Sequence, residues 1–220
     1  MPALELPENV MRATAAIATV LPASSIQGYG ENADELAAQY ESITFAEVHR
    51  DTLPLIPSRP VRVLDIGAGS GRDAAALTAM GHRVLAVEPT LELRRAGQQL
   101  HPEAGIEWLD DGLPELARVL ARSERFDLIL LTAVWMHLDE AERQVAMESL
   151  SRLVAQAGQI IMSLRHGPVP AGRRMFDVSF AETQELAHRH GLCATFRCER
   201  EDMLGRPDVR WTFLALSSAV

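Results

Sequence analysis

From residue 61 onward, short apolar runs alternate with segments whose apolar positions recur every three or four residues, the pattern of repeated strand–helix units on a mostly parallel sheet. Strands are predicted at residues 61–66, 83–87, 106–109, 126–131, 160–164, 192–198 and 211–216. The fourth is continuously apolar after Phe126-Asp127, as expected of a strand covered on both faces. Helices are predicted at 72–80, 90–100, 113–122, from Asp139 onward, and at 180–190. Gly81 and Gly191 stand at C-cap positions, and Gly158 reads as the end of the helix begun at Asp139. Asp139 with Glu142 makes a capping-box pattern, and Ala146, Met147, Leu150, Leu153 and Val154 line one face of that helix. Upstream, residues 32–51 lack Gly and Pro and read as one helix, which the breakers Pro54, Pro57 and Pro60 terminate. The pattern therefore predicts an N-terminal helical cap or lid over residues 1–60, including a first helix at about 8–20, and a catalytic α/β body over 61–220, together one structural domain.

Composition narrows the classes of partner. The 220 residues are 47% hydrophobic and 23% charged, enough for one ordinary globular core. With 21 Lys and Arg against 30 Asp and Glu, the net charge of −9 disfavours a protein that must neutralise nucleic-acid phosphates. No apolar run approaches the roughly 20 residues that cross a bilayer. Glu5 and Glu8 precede the first basic residue, Arg12, unlike a signal peptide, so a cytoplasmic protein is expected. Cys193 and Cys198 read as free, reduced thiols on opposite faces of a strand, given their odd separation. No His-Glu-x-x-His motif or Cys/His cluster occurs, so no metal site is expected.

The richest local signal is Asp65-Ile66-Gly67-Ala68-Gly69-Ser70-Gly71, a strand passing into a helix through a turn that lets the backbone approach a ligand closely. Its spacing is Gly-x-Gly-x-Gly, not the Gly-x-Gly-x-x-Gly of dinucleotide sites, which disfavours a nicotinamide oxidoreductase. Asp65, two residues before the first glycine, would oppose a pyrophosphate but could hold an ammonium group. Glu88 ends the second strand, 17 residues after Gly71, where an acid can accept hydrogen bonds from both ribose hydroxyls. A zwitterionic adenosine ligand fits this arrangement. Taken singly, Asp65 reads equally well as a turn residue and Glu88 as a helix-capping acid.

Together these residues resemble the class I S-adenosylmethionine-dependent methyltransferase family. Asp65 to Gly71 is similar to its first motif, Val84-Leu-Ala-Val-Glu-Pro89 to its second-strand acid, Trp108-Leu-Asp-Asp-Gly112 to the acidic position beside the adenine, and Phe126 to Leu138 to its fourth strand and following loop. The resemblance implies a Rossmann-like α/β fold with a seven-stranded sheet ordered 3-2-1-4-5-7-6, its last strand antiparallel and helices on both faces. It implies S-adenosylmethionine as cofactor and S-adenosylhomocysteine as product. Gly67, Ala68, Gly69 and Gly71 would contact the methionine part through their backbone, and Asp65 its amino group, directly or through water. Glu88 would take the ribose hydroxyls, Pro89 would wall the adenine, and Asp110 or Asp111 would accept from the adenine amine. Thr132, Ala133 and Val134 would lie along the sulfonium, and Tyr29, between Gly28 and Gly30, could close over the methionine end.

The acceptor is less legible. Ligands of open α/β sheets lie beyond the carboxyl ends of the strands, which selects the loops containing Trp135-Met136-His137 and Arg165-His166-Gly167-Pro168. His137 and His166 are candidates for general base or for positioning the acceptor, with a packing role as the plainer alternative. Arg165, Arg173 and Arg174 form a basic group around a Pro/Gly-rich loop that either binds an acidic group or is a solvated face. Trp135 could stack on an aromatic acceptor, whereas Trp108 and Trp211 read as packing. A small-molecule acceptor, no membrane, and a monomer or homodimer are expected. A nucleic-acid or protein methyltransferase and a non-catalytic S-adenosylmethionine-binding module are the alternatives. Against the first, neither cysteine follows a proline and no Asn/Asp-Pro-Pro-aromatic motif is present.

Overall fold

The computed structural model describes residues 30–218. Its seven strands form one sheet in the order β3-β2-β1-β4-β5-β7-β6, as the family resemblance implies. Strands β1 (Arg62–Ile66), β2 (Arg83–Val87), β3 (Glu107–Leu109), β4 (Phe126–Leu131) and β5 (Val154–His166) are parallel. β7 (Arg210–Ser218) runs antiparallel between β5 and β6 (Leu192–Glu201). Period-two alternation sorts the two faces of the sheet. Leu64, Ile66, Ile129, Leu131 and Met162 pack with Met147 and Leu150 of α6 (Glu140–Leu153) and Leu186 of α7 (Phe180–Arg189). Val63, Leu128, Leu130 and Ile161 pack with Ala74 and Leu77 of α3 (Arg72–Ala79). Asp65 shares that second face, so its carboxylate enters the interior at the carboxyl edge of the sheet.

The single cap helix expected over residues 32–51 is two helices, α1 (Ala33–Glu41) and α2 (Phe45–Val48). Thr44 restarts the chain: its hydroxyl accepts from the Glu47 backbone amide at 3.2 Å and its own amide donates to the Glu47 carboxylate at 2.8 Å. Helix α1 lies on α4 (Leu91–Leu100) through Ala33, Ala37, Leu93 and Ala96, where small residues allow close approach. The helix predicted at 113–122 shortens to α5 (Ala117–Ala121), because Leu116 adopts a left-handed φ of 48°. The capping box at Asp139 and Glu142 forms as expected.

Gly158 does not end α6. The helix passes directly into β5 at Val154, and because Phe126 pairs with Val154 while Leu128 pairs with Gln159, the intervening residues bulge. A side chain at Gly158 would come within 2.8 Å of the Phe126 carbonyl oxygen. A second bulge, in β6 between Ala194 and Phe196, shifts the alternation by one. Cys193 and Cys198 therefore pair with Ser217 and Phe213, four residues apart on β7, and point to the same face rather than opposite ones. Both remain free thiols. No helix among the described residues is long and apolar enough to cross a membrane. The helix expected at 8–20 lies outside the described residues.

Candidate functional site

The carboxyl ends of β1, β2, β4 and β5 open into one cavity of about 450 Å³, roofed by α1, the segment after β5 and the β6–β7 turn. Asp65, Gly67, Ala68, Gly69, Glu88, Pro89, Thr132, Ala133 and His137 all line it. The turn after β1 earns its glycines from close approach. Gly67 has φ 69°, and a Cβ there would lie 2.6 Å from Val134 Cγ2; Gly69 has φ 56°, with the Tyr40 ring 3.2 Å from the position of a Cβ. Gly71 serves a different purpose. It starts α3 at φ 84° against Trp108, whose ring a Cβ would meet at 2.9 Å, and it does not line the cavity.

Two buried acids stand on either side of this turn. Glu88 accepts from the Gly69 amide at 2.9 Å and the Thr90 amide at 2.8 Å, which fixes its carboxylate while burial raises its pKa. Asp65 is 2% exposed, and its Oδ2 has no hydrogen-bond partner. Burial, with the nearby Asp73 carboxylate adding to it, drives the Asp65 pKa well above the usual carboxylate range. An orphaned buried carboxylate oxygen costs roughly 1–3 kcal/mol. A cationic ligand donor at this end of the cavity would relieve that cost, and the ammonium group of S-adenosylmethionine is such a donor.

Beneath the turn lies a network that the sequence did not announce. Asp73 accepts from Arg72 Nε at 2.7 Å and the Thr132 hydroxyl at 2.8 Å, and lies 2.8 Å from His49 Nε2. Its own burial would raise its pKa, but His49 and Arg72 outweigh that and hold the carboxyl far below the usual range. Arg72 also donates to the Tyr40 carbonyl, and Ser70 Oγ donates to Glu41 at 2.6 Å, so α1 is tied to the glycine turn. Ala133 sits at φ 59°, an uncommon conformation for a residue with a side chain, and its amide donates to Ser163 Oγ at 2.8 Å. The strand pairing of β4 with β5 thus holds the 132–134 turn in place beside Gly67.

Beyond Pro89, where the adenine is expected from the sequence, Asp111 is occupied elsewhere. Its carboxylate accepts from the amides of Gly112, Arg118 and Val119, which fixes the start of α5. Asp110 is half-exposed and ion-paired with Arg94 at 3.2 Å and Arg118 at 3.8 Å. Neither lines the cavity, whereas Gly112 and Leu113 do, beside Pro89. Tyr29 lies outside the described residues.

The acceptor side separates the candidates. His137 is 7% exposed, its Nδ1 lies 2.9 Å from the Arg174 carbonyl, and burial followed by the surrounding arginines lowers its pKa. A carbonyl partner requires Nδ1 to carry the proton, which leaves Nε2 as the basic atom. His166 is not in a loop. β5 continues through it, so alternation turns Ser163 and Arg165 into the cavity and His166 away, where its Nε2 lies 2.8 Å from Thr212 Oγ1. Arg165 and Arg173 line the cavity; Arg174 instead pairs with Asp139 and Glu142 and donates to the His137 carbonyl. Trp135 is fully buried in the opposite core and cannot stack on a ligand, while Trp211, read from sequence as packing, lines the cavity. Arg200, Asp202, Met203 and Arg206 of the β6–β7 hairpin and Met175 were not anticipated, because nothing local in the sequence marks a residue brought in by sheet pairing.

Among the described residues, no group of three or more His, Cys, Asp or Glu side chains could hold a metal ion. Residues 64–162 match the methyltransferase domain family. No curated protein matches the chain. Among solved structures, a TehB-like S-adenosylmethionine-dependent methyltransferase from Corynebacterium glutamicum superposes with TM-score 0.66 at 21% identity, over 86% of this chain and 98% of that one. The 1,6-didemethyltoxoflavin-N1-methyltransferase of Burkholderia thailandensis, with 1,6-didemethyltoxoflavin and S-adenosylhomocysteine bound, superposes at 0.58 and 20% identity, over 86% and 90%. The magnesium protoporphyrin IX methyltransferase of Synechocystis, with S-adenosylmethionine bound, gives 0.58 and 16%, over 87% and 80%. At these identities the superpositions establish the fold, and the family match covers the strands and turn that carry the buried acids. Residues 64–162 thus form a methyltransferase domain that takes S-adenosylmethionine as its cofactor, on a fold shared with solved S-adenosylmethionine-dependent methyltransferases.

Proposed function

We propose that the enzyme methylates a small molecule bound in the same cavity as the cofactor, between the 132–134 turn and the β6–β7 hairpin. The observation that carries this reading is enclosure. The cavity runs on from Asp65 and Glu88 past Thr132 to Met136, Met175 and Trp211, under a roof tied down by Glu41 and Ser70 at one end and Arg200 at the other. Arg200 donates to the carbonyls of Val48 and Glu47, which joins the hairpin to α2. A compact acceptor suits such a space better than a duplex or a folded protein surface, and the net charge of −9 opposes nucleic acid.

In this reading Asp65 holds the ammonium group, the backbone of Gly67 to Gly69 follows the methionine part, Glu88 takes the ribose hydroxyls, and Pro89 with Gly112 and Leu113 walls the adenine. Asp110 and Asp111 support that wall without reaching the ligand. S-Adenosylmethionine supplies an electrophilic methyl group for in-line displacement. The chain must then hold the acceptor atom in line and exclude water, with the cap of residues 1–60 acting as the lid. His137, neutral through burial and basic at Nε2, removes a proton from an acceptor that carries one. The enzyme works in the cytosol, where Cys193 and Cys198 stay reduced, as a monomer or homodimer.

Calorimetric titration with S-adenosylmethionine and S-adenosylhomocysteine tests the site. Micromolar binding, about −8 kcal/mol, is expected, followed by S-adenosylhomocysteine release when small acceptors are supplied. Turnover on nucleic acid or protein with none on small molecules would reverse the acceptor assignment.

A further inference from the structure

At the acceptor end of the cavity, Arg165 is 6% exposed, yet its side chain makes one hydrogen bond, from Nη1 to the Gly167 carbonyl at 3.2 Å. Among the described residues no carboxylate comes within ion-pairing distance of it. The nearest acid that acts on it, Asp202, is fully engaged. Its oxygens accept from Arg206 Nε at 2.9 Å, Arg206 Nη2 at 2.6 Å and Trp211 Nε1 at 2.9 Å, and from the backbone amides of Leu204 and Arg206. Burial and the neighbouring Arg206 charge both work against the protonated form of Arg165. A buried guanidinium normally has an acidic partner, because the desolvated charge is otherwise uncompensated. Here the Nε and Nη2 edge, a planar fork, is left for a partner that the described chain does not provide.

We propose that this partner is the acceptor itself, a small organic acid whose carboxylate is held by Arg165 and whose apolar body lies against Met136, Met175, Met203 and Trp211. The assignment rests on the reading of this cavity as the acceptor site and names its substrate class. Charge balance selects a carboxylate over a phosphomonoester. Arg200 and Arg206, which line the same end, are already paired with Asp51 and Asp202, so one negative charge matches Arg165, whereas a dianion would bring its second charge towards Glu201 and Asp202. Position also agrees. Ser163 and Arg165 are successive inward residues of β5, and Ser163 holds the Ala133 amide beside the methyl-transfer position. An acid fixed by Arg165 therefore lies about 7 Å further along the strand than Ser163, at the distance of two residues, which leaves the acceptor atom on the cofactor side.

The test titrates the protein saturated with S-adenosylhomocysteine with matched acids and amides: 4-hydroxybenzoate and 4-hydroxybenzamide, indole-3-acetate and indole-3-acetamide, with phenyl phosphate as a third arm. In at least one pair the acid should bind about 10- to 100-fold more tightly than its amide. Arg165→Met should erase that preference while S-adenosylhomocysteine affinity stays within about twofold, and Arg165→Lys should retain part of it. Equal binding of acids and amides, no binding of either, preference surviving in Arg165→Met, or preference for phenyl phosphate would each overturn the proposal. Failure of the wild-type protein to bind S-adenosylhomocysteine would instead overturn the site reading on which the proposal depends.

Discussion

The two ends of the cavity are built by different means. At the cofactor end, Gly67 and Gly69 offer backbone at close range, Glu88 is locked by two amides, and Asp65, Gly67 and Gly69 sit within five residues of one another. At the acceptor end, Arg165, Met175, Asp202 and Trp211 come from three separate segments and act through side chains. Backbone recognition suits a ligand shared by a large family, because it depends on a turn whose geometry short residues dictate. Side-chain recognition can be changed one residue at a time without disturbing that turn.

That contrast can be broken by substitutions at each end. The largest effect is expected for Asp65→Ala: S-adenosylmethionine affinity should fall roughly 1,000-fold by calorimetry, while the ligand-free protein unfolds at an equal or higher temperature, since an unsatisfied buried carboxylate has been removed. A large drop in unfolding temperature with affinity retained would make Asp65 a structural acid. Next, His137→Ala should lower kcat on the identified acceptor by about 100-fold with cofactor affinity unchanged. An equal loss of cofactor affinity would place His137 in the wrong half of the cavity.

The pH dependence sharpens the comparison further. Because burial raises the folded-state pKa of Asp65, its ionisation destabilises the ligand-free protein: the stability that its protonated form contributes is present below the ordinary carboxyl range and is lost as pH rises through the raised value. The ammonium ligand needs the ionised form. Affinity should therefore increase with pH, by about tenfold over the acid limb, up to the range near 8 where an α-amino group itself loses its proton. The limb should vanish in Asp65→Asn. At the acceptor end the lowered pKa of His137 predicts that kcat declines only below the ordinary histidine range, near 6.5. The smallest effect is reserved for His166→Ala, which should leave cofactor affinity and turnover within about twofold, because its ring bonds Thr212 outside the cavity. A loss of turnover comparable to that of His137→Ala would mean that the β5 alternation is misassigned.

The sequence by itself determined the run of strands, the glycine turn and the acids at 65 and 88, because each rests on local spacing: strand period, the Gly-x-Gly-x-Gly pattern, and the distance from Gly71 to Glu88; the sheet order was implied by the family resemblance, and the structure has that order. It also carried the capping box at Thr44, which a purely periodic reading of residues 32–51 passed over. Only the tertiary structure decided which of neighbouring residues faces the cavity. Two further residues of strand beyond Leu164 turned His166 out and Arg165 in, a bulge at Thr195 put both cysteines on one face, and amides of α5 claimed Asp111. Those outcomes depend on strand length, register and competition for hydrogen-bond donors, which are set by partners distant in the chain, and a single alternation step reverses them.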